Sequence, residues 1–181
     1  MKGTREEIIN IANTLIRSVG YNAFSYTDIS KKLDIKNAAI HYHFPSKADL
    51  GVEVIKKNLD AFLRITDSWK ELGYKQQLTE YITMHNGIIK KRLTCVVGSL
   101  SPSFDTLPPS MQKELHNLIE TIISWLSDLL RKGRENGELS FNETPEEKAY
   151  TIHSALLSAL LMNKVLQNNV YQSVQNSLLK I

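Results

Sequence analysis

The chain has 181 residues, 42% of them hydrophobic and 23% charged, which excludes disorder and supplies enough apolar material for a buried core. The opening stretch MKGTREEIINIANTLIRSVG lacks the apolar run and cleavage site of a secretory leader, and Ala155 to Met162 falls far short of the roughly 20 apolar residues that span a bilayer, so a cytoplasmic protein with no membrane partner is expected. The single Cys95 excludes an internal disulfide, and the whole net charge of +3 sits in residues 1–57, nine Lys/Arg against six Asp/Glu, as suits a small polyanion-binding head on a neutral body.

In chain order the segments read as helices. The first is expected to be capped by Thr4 with Glu7, to bury Ile8, Ile11/Ala12, Leu15 and Val19, and to stop at Gly20. Thr27 is expected to cap a short second helix, with Asp28 at its positive end and Ile29 and Leu33 facing inward. The stretch LDIKN breaks that helix, and a third runs from Asn37/Ala38 to Phe44, where Pro45 prevents continuation. Ser46 with Asp49 then starts a long helix carrying Leu50, Val54/Ile55, Leu59 and Phe62/Leu63. A further helix is expected from Lys75 to Lys91, with the basic run Lys90-Lys91-Arg92 as its solvated end. Residues 92–108, whose Val-Val pair has no partner strand in view, read as a short helix with loops.

Pro109 opens a long amphipathic helix bearing Met111, Leu115, Leu118, Ile119, Ile122, Trp125, Leu126, Leu129 and Leu130, which stops in RKGRENGEL. Thr144-Pro145-Glu146-Glu147 combines a cap, an N1 proline and a capping-box acid, starting a helix to about Asn168. That helix is apolar on more than one face. The segment Tyr171 to Ile181 covers part of it, and a second copy of the chain is the natural cover for the rest.

Three short helices in the first 45 residues, the second and third joined by a tight turn, have the spacing of a helix-turn-helix unit. Ile29, Leu33, Ile35, Ile40 and Phe44 form its small core. With Ile40 and Phe44 inward, Ala38, Ala39 and Tyr42 point outward and His41 and His43 lie on the two shoulders. The histidines stand about 200° apart at roughly 100° per residue, so they cannot chelate one metal ion. Instead they can donate to phosphates, while the alanines allow close approach to a groove and Tyr42 offers a ring and a hydroxyl.

The segment from Thr4 to Leu50, carried by GYNAFSYTDISKKLDIKNAAIHYHFPSKADL, resembles the DNA-binding domain of the TetR/AcrR family of transcriptional regulators. The shared features are a Gly-aromatic pair, a Thr-capped second helix, a tight turn, a short recognition helix and an aromatic-Pro-Ser-Lys-x-x-Leu exit. The resemblance implies that Thr27 meets a phosphate, that Lys36, Asn37, Ala38 and Ala39 open the recognition helix, that His41, Tyr42 and His43 face DNA, and that Lys47 holds the backbone. Four positions depart from the family's habit: His41 stands for tyrosine, Asp34 for a turn glycine, Ser30 for alanine and Lys36 for serine.

The expected architecture is all-α: an N-terminal three-helix helix-turn-helix domain, residues 1–46, joined by a long helix to a helical effector-binding and dimerisation domain, residues 47–181. The resemblance implies a homodimer on a palindromic double-stranded operator, repression by family analogy, release by a small-molecule effector, and a four-helix interface from residues 109–136 and 145–168. Dimerisation has its own motive, because one short recognition helix reads only a few base pairs. Trp69, Tyr81, Met84, Phe104, Trp125 and Met162 are candidates for an effector cavity or for plain core. Cys95 joins them, either as a buried apolar residue or as a sensing thiol.

His85, His116 and His153 lack metal-type spacing and read as isolated core or interface residues. No phosphate loop, nucleophile elbow or paired-carboxylate pattern appears, so no catalytic residue, metal or cofactor is expected. Two rival readings stay open: an enzyme whose site is not visible in sequence, and a helical protein-interaction module.

Overall fold

The computed structural model describes residues 2–89 and 91–180; Lys90 of the basic run and the terminal Ile181 lie outside the described residues. The fold is all-α, with no strand among the described residues. Its elements are α1 (Lys2–Val19), a 3-10 turn (Tyr21–Ala23), α2 (Tyr26–Leu33), α3 (Asn37–His43), α4 (Lys47–Ser68), α5 (Tyr74–Thr83) and α6 (Asn86–Ile89). They continue as α7 (Val96–Leu100), a 3-10 segment (Ser101–Thr106), α8 (Pro109–Glu135), α9 (Pro145–Leu166) and α10 (Val170–Leu178). Residues 1–60 with 96–118 form one compact unit, and residues 61–95 with 119–181 form another. None of the described helices is long and apolar enough to cross a membrane.

In the first unit α1 is already helical at Lys2, so Thr4 lies inside its first turn and does not cap it. A capping box marks where a helix is able to start, and nothing in Lys2-Gly3 forbids an earlier turn. Its buried line is Ile8, Ala12 and Ile16, four residues apart and so about one turn each, with Ile9 beside them, while Val19 is 56% exposed and outside the core. Gly20 ends the helix at φ +94°, a backbone state that glycine adopts without a Cβ penalty. α7 packs on α1. Gly51 of α4 lies so close to Met111 of α8 that an added Cβ would fall 2.4 Å from its sulfur, which is why a glycine sits mid-helix there.

In the second unit the expected helix from Lys75 to Lys91 is two pieces, α5 and α6, separated at Met84-His85. Side chains of α10 explain the break. The Ile82 carbonyl, which a continuous helix would offer to the Asn86 N–H, accepts from the Tyr171 hydroxyl at 3.1 Å and the Gln175 amide at 2.8 Å. Gln175 also donates to the Asn86 side chain at 2.9 Å. Residues 96–106 are helical turns, α7 and the 3-10 segment, as expected for that stretch.

Thr144 and Glu147 form the expected capping box at the start of α9, with Pro145 at the first helical position. Ala149, Ile152, Leu156, Ala159 and Leu160 bury one face of α9, against which α10 packs. Tyr150, Leu161, Met162, Val165 and Leu166 remain exposed, so this helix does carry a second apolar face. On α4, Phe62 is buried but its neighbour Leu63 points out to solvent.

Candidate nucleic-acid interface

The site is built from α2, α3 and the start of α4. Ser25, and not Thr27, starts α2: its N–H and hydroxyl both donate to the Asp28 carboxylate, at 2.7 and 2.8 Å. Those bonds, Ser25's N–H first, hold the Asp28 carboxyl below the usual range. The Ser-x-x-Asp signature was present at 25–28 just as at 46–49; Thr27 has no acid three residues on, so the box falls to Ser25. At 46–49 the same chemistry recurs, with the Ser46 N–H and hydroxyl on Asp49 at 2.9 and 2.7 Å.

Thr27 is thereby left exposed in the first turn, where its hydroxyl accepts from the Asn37 side chain at 3.1 Å. This bond ties the beginnings of α2 and α3 together. Between them Asp34 takes the left-handed conformation at φ 52°, occupying a place that glycine would fill without strain. Lys36 precedes α3 with extended backbone and an exposed side chain.

On α3, Ile40 and Phe44 are buried, Ala38, His41 and Tyr42 are exposed, and Ala39 and His43 are half-buried. Tyr42 is 74% exposed. Below this surface Tyr26 is a pin: its buried hydroxyl donates to the Phe44 carbonyl at 2.9 Å, and its ring meets His41 edge-on at 4.7 Å. Burial, reinforced by Asp49 and Tyr21, pushes the Tyr26 phenol up to about 12, so it stays a donor at any physiological pH. His43 leans on Tyr42 and Phe44. The contact of His41 with a carbonyl is a long 3.4 Å, to Pro45.

Lys47 is held inward. Its ammonium donates to the Phe24 carbonyl and lies over the Phe24 and Tyr21 rings, at 4.3 and 4.7 Å from their centroids. Desolvation lowers its pKa, partly countered by Asp28. Sequence reasoning missed Tyr26 and Ser25 as the groups that fix α3, although the Ser-x-x-Asp spacing was a usable signal for the second.

Of the effector candidates, the structure brings Trp69, Tyr81 and Trp125 together in the second unit. Trp125 stands 6.1 Å from Trp69, 5.5 Å from Tyr81 and 5.6 Å from Phe62, ring centre to ring centre. Tyr81 and His153 share a 2.7 Å hydrogen bond, and burial pushes the Tyr81 phenol up and the His153 imidazole down. Cys95 is half-buried and near enough to influence Tyr81 and Tyr171 electrostatically. Met84 lies half-buried in the turn after α5. Met162, 47% exposed, and Phe104, 38% exposed in the first unit, do not share the aromatic cluster's burial.

A capped helix-turn-helix presenting an exposed aromatic on a firmly seated third helix, in an all-helical chain of two compact units, has the form of a DNA-binding transcriptional regulator. Residues 8–54 match the family described as bacterial regulatory proteins, tetR family, and residues 78–175 match the tetracyclin repressor-like C-terminal domain. The chain belongs to the TetR family. It is 23% identical to the HTH-type transcriptional repressor NemR of Escherichia coli K12, over 97% of this chain and 90% of NemR. Among solved structures, a TetR transcriptional regulator from Legionella pneumophila is 32% identical with a TM-score of 0.84, covering 97% of this chain and 95% of its own. A TetR-family regulator from Agrobacterium tumefaciens is 26% identical with a TM-score of 0.93, covering 99% and 97%.

Proposed function

We propose that this regulator is a cytoplasmic repressor that binds a palindromic operator as a homodimer and releases it when a small molecule occupies the helical body. In this reading residues 1–46 are the DNA-binding head and residues 47–181 the effector-binding and dimerisation domain. The observation that carries it is the division of α3: Ile40 and Phe44 are locked inside while Tyr42 stands 74% exposed with Ala38 and His41 beside it. An aromatic held outward on a short helix whose opposite side is locked in the core is placed to offer its ring and hydroxyl to a groove.

Ala38, Ala39, Tyr42 and Asn37 then approach base edges, while Thr27, Lys36, His41 and His43 meet phosphates and sugars. Lys47 acts mainly from beneath, holding the Phe24 carbonyl and the two rings and adding positive potential to the phosphate track. NemR carries the name of a repressor and supports the sign of regulation. The Trp69–Tyr81–Trp125 cluster is the candidate receptor for the effector. The relatives are regulators, and no residue here is given a catalytic role.

The test is selection of fragments bound by the full chain from a randomised DNA pool. Recovery of an inverted repeat whose half-sites are about one helical turn apart, or a multiple of it, supports the reading. Fragments sharing no sequence, or no retained DNA, would overturn it. Enzymatic turnover without DNA affinity would favour the enzyme reading, and an obligatory heteromer the interaction module.

A further inference from the structure

A groove of about 270 Å³ runs between the C-terminal half of α9 and the segment following α6. Its apolar walls are Ile89, Leu93 and Leu160, and its polar lining includes the cations Arg92 and Lys164 with the amides of Asn163 and Gln167; among the described residues no Asp or Glu lines it. That size lies at or below the small end of ligand sites, roughly 300–1,000 Å³. The Arg92 side chain is exposed, and among the described residues its guanidinium makes no hydrogen bond or ion pair, so its fork of donors is open to a planar anion.

The backbone at Arg92 is also unusual. It is held at φ 54°, with its N–H on the Ile89 carbonyl at 2.9 Å and the Leu93 N–H on the Ile88 carbonyl at 3.2 Å. Glycine or asparagine is the ordinary choice after a helix in that conformation. An arginine there gives up conformational ease and places a positive charge at the groove's edge.

The groove also lies away from the apolar side of α9. At roughly 100° per residue, Leu160, Asn163, Lys164 and Gln167 share one side of the helix, and Leu161, Met162 and Val165 share the opposite side. A second copy seated on that apolar side would leave the groove open.

We propose that the groove between α6 and α9 binds a small organic carboxylate with a short apolar tail. The carboxylate pairs with Arg92 and Lys164, receives further donors from the Asn163 and Gln167 amides, and lays its tail along Ile89, Leu93 and Leu160. Both parts of the ligand are needed. The cations alone would hold any exposed anion weakly in water, and the small apolar walls alone bury too little surface for affinity. This site is distinct from the aromatic cluster, and its measurement involves no DNA, so its failure leaves the operator reading untouched.

The experiment is calorimetric titration of the purified full chain with sodium hexanoate, acetate and 1-hexanol. One saturable hexanoate site per chain is expected, with acetate and 1-hexanol each at least tenfold weaker. Arg92→Gln and Lys164→Gln should each weaken hexanoate about tenfold with an unchanged circular dichroism spectrum, and Arg92→Lys should recover part of the loss. Absence of saturable hexanoate binding, equal binding of acetate or 1-hexanol, or unchanged affinity in both glutamine variants would overturn the proposal. Two substitutions on different elements keep the test decisive where one of them disturbs folding.

Discussion

Ile40 and Tyr42 are two positions apart on one short helix and meet opposite surroundings, the first fully buried and the second 74% exposed. Helical geometry alone produces that split, because adjacent-but-one residues point about 200° apart. Tyr42→Ala is therefore expected to leave the thermal midpoint nearly unchanged while weakening operator binding by roughly 1–3 kcal/mol, the cost of one specific contact. Fluorescence anisotropy with operator and scrambled duplexes checks this, and equal losses on both would remove Tyr42 from specific readout. Lys47 argues the other way. Its ammonium is engaged by the Phe24 carbonyl and two rings, so Lys47→Ala should lower the thermal midpoint as well as affinity for every DNA sequence alike. Lost DNA affinity with an unchanged melting curve would make Lys47 a simple phosphate contact.

At the level of elements, what was legible in the sequence was whatever is encoded within a turn or two of the chain. The stops at Gly20 and Asp34, the Ser46–Asp49 start and the Thr144–Glu147 box are local signals, and the structure has them where the residues stand. The break between α5 and α6 is encoded about ninety residues away, in Tyr171 and Gln175, and no local pattern near Met84 announces it. Gln175→Ala should remove one of the two donors on the Ile82 carbonyl, leaving the Tyr171 hydroxyl, together with the donor to the Asn86 side chain, costing roughly 1–3 kcal/mol in urea unfolding. No change in the unfolding midpoint would mean that the break persists without them. The Tyr81–His153 bond was equally hidden, since it joins α5 to α9. Burial lowers the folded-state pKa of His153 below its ordinary value of about 6.5, so below that pH the unfolded chain binds a proton that the folded one resists. Stability is thus expected to fall as pH drops through and below about 6.5, and His153→Gln should flatten that part of the profile. The check is the thermal midpoint at about pH 7.5 and about pH 5.5 for both proteins; parallel slopes would remove His153 as the cause.

For the whole molecule, the question is what covers the outer side of α9. Val165 is 77% exposed, with Leu161 and Met162 on the same side and Leu166 and Tyr150 also in water. α10 is already spent on the inner side through Tyr171 and Gln175, both buried. A single recognition helix contacts too few base pairs for useful specificity, so the proposed dimer would answer two needs with one surface, covering the apolar side and doubling the reading. Leu161→Asp with Val165→Asp should then give a folded chain of monomer mass in analytical ultracentrifugation, because neither side chain contributes to the buried core of its own subunit. The same variant should lose most operator preference, its affinity falling toward the non-specific range of roughly 10⁻⁴–10⁻⁶ M while its residual binding keeps a steep dependence on salt. A variant that still sediments as a dimer would place the interface elsewhere. One that becomes monomeric yet keeps full operator affinity would separate dimerisation from recognition and return α9's apolar side to some other partner.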